Sequence, residues 1–507
     1  MNDFESKILS LEKENIFLPK TEIIKSFLEN FKLNSQTIEV FQKINFKNLE
    51  EKLKITAIKN LYIQTIIDEI NKQEIDKNFN YENHIKQKLR KFNIKIKFNY
   101  TETGKKSNVN DFILYFTQKL SFYKELIEKI INQNYLCRID TIRELQKNEK
   151  ISIIGLLREI YKTKNGYILE IEDRTGVIKC FINNSKLSKE QNLIDLINNL
   201  CLDQGLGIEG KVGDSIIWID KIIDIPEFQE KKIVKTDEEN FITAISDIHI
   251  GSIDFEDEIF LKFTKLINAQ TKSEKINQIT KKLKYILIAG DLIEGIGKYP
   301  NQENDLIFYS TEMQYNLASK FLKLINEEIG IIISTGNHDS GRLSEPQLPI
   351  THKKSHNLYN LKNTIILSNP TNIVLFNKLN INLYHGKSFF YYANNIKKLR
   401  NIGGIKKPLE IVKYLFSKRN FAPTHNSVPY IPDALNNTLS IKNLPDIFLC
   451  GHTHIFDIEN YLGSTLISGG CFSKENSYQK KNGITPNIGI IPLINTKTRK
   501  INKITLK

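Results

Sequence analysis

The sequence has no apolar stretch long enough for a membrane. Runs such as Tyr285–Ala289 and Ile331–Ile333 fall far short of the roughly 20 residues that a bilayer-spanning helix needs. A leader-type apolar core is missing too, because MNDFESKILSLEKEN alternates acidic and basic residues. These absences argue against a membrane-spanning or secreted protein and lead to the expectation of a cytoplasmic one. Cysteine is scarce. Cys137, Cys180, Cys201, Cys450 and Cys471 lie far apart and form no CxxC pair. That excludes a disulfide framework or a zinc knuckle and fits a reducing compartment. There are no internal repeats.

The 507 residues, at about 150 per domain, suggest three domains. A hydrophobic content of 40% against 26% charged residues allows buried cores and excludes a chain disordered throughout. The net charge is +14, which would attract phosphate polyanions. Lys, Asn and Ile are abundant everywhere along the chain, so composition alone does not decide for nucleic-acid binding.

Four segments are expected. Residues 1–70 read as a small helical module, with Thr21 a cap candidate ahead of apolar residues at helical spacing. Residues 71–110 are charged, Asn-rich and weakly periodic, and read as a linker. Residues 111–235 begin with an amphipathic helix, DFILYFTQKLSFYKELIEKIINQ. Alternating runs with glycine punctuation follow, which suggest a five-stranded barrel of the OB type. Few aromatics there are spaced for base stacking beyond Tyr161, Tyr167 and Trp218, which favours docking over strand binding. Residues 236–507 alternate strands and helices, as in an α/β layered domain.

The chemistry lies in this last segment. Eight of the nine histidines fall between 249 and 454. Asp247 and His249 follow FITAIS, and Asp291 follows YILIAG. Asn337, His338 and Asp339 follow IGIIIS. His385 follows INLY, and His452 and His454 follow DIFLC. Each group stands at the carboxyl end of a strand, where open α/β sheets bind ligands. Residues two apart on an extended segment face the same side, so each DxH or HxH pair can address one point. Imidazoles with carboxylates and no thiolate suit Mn, Fe or Zn. Seven such ligands suit two ions sharing a carboxylate.

The pattern DxH…GD…GNHD…H…GHxH resembles the calcineurin-like metallophosphoesterase superfamily. SDIHIGS, AGDLIEGIGKYPNQENDL, TGNHDSGRLSEPQ, LYHGKSF, KRNFAPTH and PDIFLCGHTH more closely resemble the small subunit of the archaeal D-family DNA polymerase. The resemblance implies a multidomain fold: helical module, OB-type barrel and calcineurin-like α/β domain. It implies a 3′→5′ exonuclease trimming the primer 3′ end of DNA, in a heterodimer with a large catalytic subunit. It also implies two divalent ions, Mn²⁺ or else Fe, Zn or Mg. One would be held by Asp247, His249 and His454, the other by Asn337, His385 and His452, with Asp291 bridging.

His338 would be catalytic rather than a ligand, stabilising the phosphorane or protonating the leaving oxygen, with Asp339 orienting it. Arg342 would bridge phosphate oxygens or else pair with Glu345, and Lys387 would touch a backbone phosphate or else stay solvated. The sequence departs from the pattern at Asn420, where a histidine is expected. It departs again at Phe389–Tyr392, where aromatics replace an acidic pair. A non-catalytic accessory subunit and a general metallophosphatase are the competing readings.

Overall fold

The computed structural model describes residues 3–72, 79–102, 106–433 and 435–506. Its centre is a pair of six-stranded sheets packed face to face. In the first, Thr364–Leu367, Gly330–Ser334, Leu283–Ala289 and Phe241–Ile245 run parallel, and Ile490–Asn495 and Ile501–Thr505 add an antiparallel edge. In the second, Leu379–Leu383, Ile447–Cys450 and Ser464–Gly469 run parallel at the middle. Ala244, Leu287 and Ile332 of one sheet meet Ile381, Leu449 and Ile467 of the other in a shared apolar layer. The strand Phe241–Ile245 is buried at every position. A strand covered on both faces reads as a continuous apolar run, as FITAI does.

The outer face of the first sheet is covered by the helices Asp257–Ile267 and Thr311–Lys323 and, beyond them, by the N-terminal helices. Thr21 caps one of these, its hydroxyl accepting from the Ile24 N–H. The N-terminal helices are not a separate body. Ile24, Phe27, Phe41, Leu49 and Tyr62 share one core with Phe260, Phe308 and Tyr315. Lys52 is buried there, donating to Asp257 Oδ2 at 2.6 Å and to the Phe255 carbonyl at 2.7 Å. Tyr62 donates to the other oxygen of Asp257 at 2.7 Å.

The expected linker, residues 71–110, is different from its reading. Residues 73–78 and 103–105 lie outside the described ones, but Tyr81–Lys91 is a helix and Ile94–Asn99 is a strand. That strand pairs antiparallel with Thr371–Leu375 and forms an edge of the second sheet. The physical reason is burial. Ile85, Phe92 and Ile94 enter the layer between the sheets, and that tertiary contact outweighs a polar, Asn-rich composition.

Next comes the helix Val109–Ile127, started by a reciprocal cap between Asn108 and Asp111. It lies between two bodies. Leu120, Tyr123 and Ile127 pack on Ile154, Leu156 and Ile223, while Tyr115 packs with Tyr392, Phe421 and Phe448. Five strands then close into a barrel in the order Lys150–Thr163, Gly166–Glu172, Val177–Asn183, Ile217–Ile223, Gly205–Val212. Alternate residues, among them Leu157, Leu169, Cys180, Ile208 and Ile219, fill its interior. Among the described residues, no helix is long and apolar enough to cross a membrane.

Candidate metal centre

All five motif loops leave the sheets at one end, because their strands are parallel within each sheet and the sheets face each other. Asp247, His249 and His454 come together with one ligand atom each inside a 4.8 Å circle, and Asp291, His385 and His452 do the same. His249 Nε2 lies 3.0 Å from His454 Nε2, and Asp247 Oδ1 lies 3.6 Å from the latter. On the other side, His385 Nε2 lies 3.2 Å from Asp291 Oδ2 and 2.9 Å from Asn337 Oδ1. Asp291 Oδ2 is also 4.0 Å from His249 Nε2, so this carboxylate stands between the two groups.

The backbone is bent hard to achieve this. Asp247, His249, Asp291, His452 and His454 all have positive φ, between 51° and 69°. Five non-glycine residues in the left-handed region, all at one site, mark strain held by the surrounding fold. The loops also approach the carboxylates closely. The His452 N–H donates to Asp247 Oδ2 at 2.9 Å, and the His338 N–H donates to Asp291 Oδ1 at 2.7 Å. The residue before each of these loops is therefore constrained. A Cβ on Gly451 would lie 2.4 Å from Asp247 Oδ2, and one on Gly336 would lie 2.2 Å from Asp291 Oδ1. This is the physical content of the glycines in GNHD and GHTH.

The imidazoles are oriented from behind. His249 Nδ1 donates to Glu294 Oε2 at 2.8 Å, His385 Nδ1 to the Ala289 carbonyl at 2.8 Å, and His338 Nδ1 to the Glu294 carbonyl at 2.8 Å. Each bond fixes the tautomer that leaves Nε2 facing the site. His454 Nδ1 faces Gln479 Nε2 at 2.8 Å.

The charges are severe. Burial pushes the Asp247 carboxyl up to about 6, against the pull of His385. Burial also works against the Asp291 charge, yet His385 and His338 hold its carboxyl well below the usual range. Burial opposes protonation of His249 as well, but Glu294 and Asp291 raise it to about 9; His385, beside Asp291, is raised to about 10. The buried carboxylates thus demand positive charge at this point. Protons on two imidazoles are one answer and divalent cations are another, and each excludes the other at Nε2. The donor set of imidazole, carboxylate and amide oxygens, with no thiolate in it, fits such cations. Cys450 and Cys471 stand nearby in sequence but are buried with their thiols donating to the carbonyls of Ile467 and Ser473.

Residues 242–456 match the calcineurin-like phosphoesterase family. The DNA polymerase II small subunit of Methanothermobacter thermautotrophicus is 31% identical over 397 residues, covering 78% of this chain and 79% of that protein. The chain belongs to the DNA polymerase II small-subunit family. The small subunit of Methanocaldococcus jannaschii is 33% identical over 393 residues, 76% of this chain and 64% of that protein. That of Pyrococcus abyssi is 29% identical over 437 residues, 85% and 68% respectively. This chain therefore spans less than two thirds of the second relative's length.

Around the site, three further residues named from the sequence have these partners. Arg342 does not pair with Glu345: it donates to the Pro346 carbonyl at 2.7 Å, and its guanidinium lies 5.0 Å from the Tyr100 ring. Lys387 donates to the Leu343 carbonyl at 3.3 Å. Asp339 does not touch the His338 ring: it accepts from the Gly336 N–H at 2.8 Å and from Tyr315 at 3.3 Å, tying the turn itself. His338 also has a second option, because it shares a 4.8 Å circle with His249 and Asp291. Phe389 and Tyr392 belong to the core, whereas Phe390 lines the pocket over the site with its ring perpendicular to His452.

Glu294 was missed by sequence reasoning. Its carboxylate accepts from His249, from Tyr299 at 3.0 Å and from Gln302 at 3.1 Å. Lys298 donates to the carbonyls of Asn337 and Asp339 at 2.7 and 3.1 Å. The GIGKYPNQ segment is thus a brace behind the clustered imidazoles and carboxylates. A glutamate in the same loop as the GD motif, followed by this uncharged-rich loop, was the available signal.

Proposed function

We propose that this chain is the 3′→5′ exonuclease subunit of a two-subunit DNA polymerase, trimming mispaired primer ends beside a large catalytic subunit. The observation that carries the proposal is Asp291, which lies within 4.0 Å of an imidazole from each ligand group. Asp247, His249 and His454 would hold one divalent cation; Asn337, His385 and His452 would hold the other, with Asp291 between. Manganese is the first choice, with Fe, Zn or Mg as alternatives. Such a pair supplies positive charge for the scissile phosphate and activates the attacking water.

The protein's own groups do the rest. The pocket over the ligands has a volume of about 120 Å³ and opens to solvent, which leaves room for a phosphate group. Tyr299, Phe390 and Ile484 form part of its wall. His338, with its Nδ1–H donated to the Glu294 carbonyl, turns Nε2 to the site; as the imidazolium, protonated at both nitrogens, it would donate the Nε2 proton to the leaving 3′-oxygen. Arg342 and Lys387 would reach backbone phosphate with the N–H donors that their carbonyl partners leave free.

We read the closed five-stranded barrel as OB type, from its strand order and the parallel contact of Val177–Asn183 with Ile217–Ile223. Its outward side chains include exposed Tyr161 and Trp218.

The test is an exonuclease assay with Mn²⁺, with and without the large subunit, on single-stranded, paired and 3′-mismatched DNA. A phosphomonoester serves as the comparison substrate. Mononucleotide release from frayed ends supports the proposal. Absence of DNA cleavage with the large subunit present would leave an accessory subunit; faster phosphomonoester turnover would leave a phosphatase.

A further inference from the structure

We propose that Gln347 and Asn369 are positioning residues that set the spacing between the Asn337 and His385 donors, and so govern one of the two cation positions and not the other. The inference rests on the two-cation reading above.

Four groups form a directed chain of hydrogen bonds. The main-chain N–H of His385 donates to Asn369 Oδ1 at 2.8 Å. Asn369 Nδ2 donates to Gln347 Oε1 at 2.8 Å. Gln347 Nε2 donates to the Gly336 carbonyl at 3.1 Å. The main chains of Gln347 and Asn369 also bond each other in both directions, at 2.7 and 3.1 Å, which holds the two amides side by side. Both side chains are almost wholly buried, at 2% and 0% exposure, so water does not compete for these bonds.

The chemistry selects the residue types. Each member accepts at one end and donates at the other, and a primary amide does both. A carboxylate has no proton to pass forward, and a hydrocarbon offers neither end. Amides therefore stand here although the ligands around them are mostly carboxylates and imidazoles. The chain starts at His385 and ends at Gly336, the residue before Asn337. The side chains of His385 and Asn337 are 2.9 Å apart. Ligand geometry tolerates a drift of only about 0.5 Å. Neither amide has a hydrogen bond to Asp247, His249 or His454, so the other cation position lies outside the relay.

The experiment is Mn²⁺ titration of the full chain, read by bound-metal stoichiometry and by electron paramagnetic resonance, which distinguishes a coupled manganese pair from isolated ions. Gln347→Met has similar volume and breaks two links. The expected result is one ion bound as in the wild type, the other weakened about 10- to 100-fold, and loss of the coupled spectrum. Should Gln347→Met fail to fold, Gln347→Glu keeps the link from Asn369 and breaks the one to Gly336, together with the Nε2 bond to the Arg342 carbonyl at 3.3 Å; the same selective loss is expected. Retention of both ions at wild-type affinity, or parallel weakening of both, would overturn the proposal while leaving the two-cation reading intact. A wild-type chain that binds fewer than two Mn²⁺ would instead overturn that reading and the relay with it.

Discussion

Glu294 holds two histidines by two different groups: its carboxylate accepts from His249 Nδ1 at 2.8 Å and its main-chain carbonyl accepts from His338 Nδ1 at the same distance. One residue thus turns Nε2 of both rings toward the site, that of a proposed ligand and that of the proposed proton donor. Three donors converge on the carboxylate, from His249, Tyr299 and Gln302. An amide in its place would turn an N–H toward one of them. Glu294→Gln is expected to weaken cation binding at the Asp247, His249 and His454 position about 10- to 100-fold. Isothermal titration with Mn²⁺ reads this directly, and unchanged affinity would remove Glu294 from the site.

His338 separates a ligand role from a catalytic one. The geometry places it within reach of both His249 and Asp291, so a ligand role is open to it. As a proton donor, its removal leaves the cations in place. His338→Ala is expected to keep two Mn²⁺ per chain and to lose about 10²- to 10⁴-fold in hydrolysis. Metal loss in this variant with cleavage retained would refute the donor role.

How much of this was legible in the sequence depends on what each part requires. The five motifs could be read because each ends a buried apolar strand, and strand ends of parallel sheets converge. The positive φ values at Asp247, His249, Asp291, His452 and His454 could not be read from composition, since glycine alone takes that conformation freely and most Asp and His residues do not adopt it. Glu294 was hidden because a single glutamate in a loop reads as surface charge until its three donors are seen. The segment 81–99 was misread because its partner strand, Thr371–Leu375, lies far along the chain. Long-range pairing overrides local composition there.

Chelation is expected to destabilise the protein. Asp247, Asp291, Glu294 and Asp339 are all buried around the site, and cations that bind only the folded state stabilise it by mass action. At a free Mn²⁺ concentration about 100-fold above Kd, one ion contributes about 2.7 kcal/mol. A chelator should therefore lower Tm by several degrees, and Mn²⁺ re-addition should restore it. A Tm indifferent to chelator and to Mn²⁺ would argue against cations at this centre.

Glu345 provides a pH dependence outside the ligand set. It is fully buried, with Oε2 accepting from Tyr384 at 3.0 Å and Oε1 lacking a hydrogen-bond partner. Burial pushes its carboxyl up to about 7, with Tyr384 and Lys387 opposing. The folded state therefore binds this proton more tightly than the unfolded state. The associated stability is present below about pH 4.5 and is lost as pH rises through about 7. The amount is on the order of 3 kcal/mol. Glu345→Gln should remove this slope, so the difference in unfolding free energy between variant and wild type should shift in the variant's favour between pH 4.5 and 7.5. Urea unfolding in chelator, which removes metal effects, measures it; parallel pH profiles would sink the assignment.

Lys52 and Asp257 decide whether the N-terminal helices stay docked. Their ion pair, at 2.6 Å, is buried at both ends. Removing one partner of a buried pair leaves a charge without compensation, at a cost of about 3–5 kcal/mol. Lys52→Met is expected to destabilise by that amount and to expose residues 3–72 to protease first. Asp257 would retain only Tyr62 as a side-chain donor, and the Phe255 carbonyl would keep only the Asp257 N–H at 3.2 Å. In Lys52→Met combined with Asp257→Leu, no buried charge remains, so the double variant should be more stable than the single one. Urea unfolding of the two side by side checks this. A double variant no better than Lys52→Met would mean that the charge is not what holds the helices against the sheet.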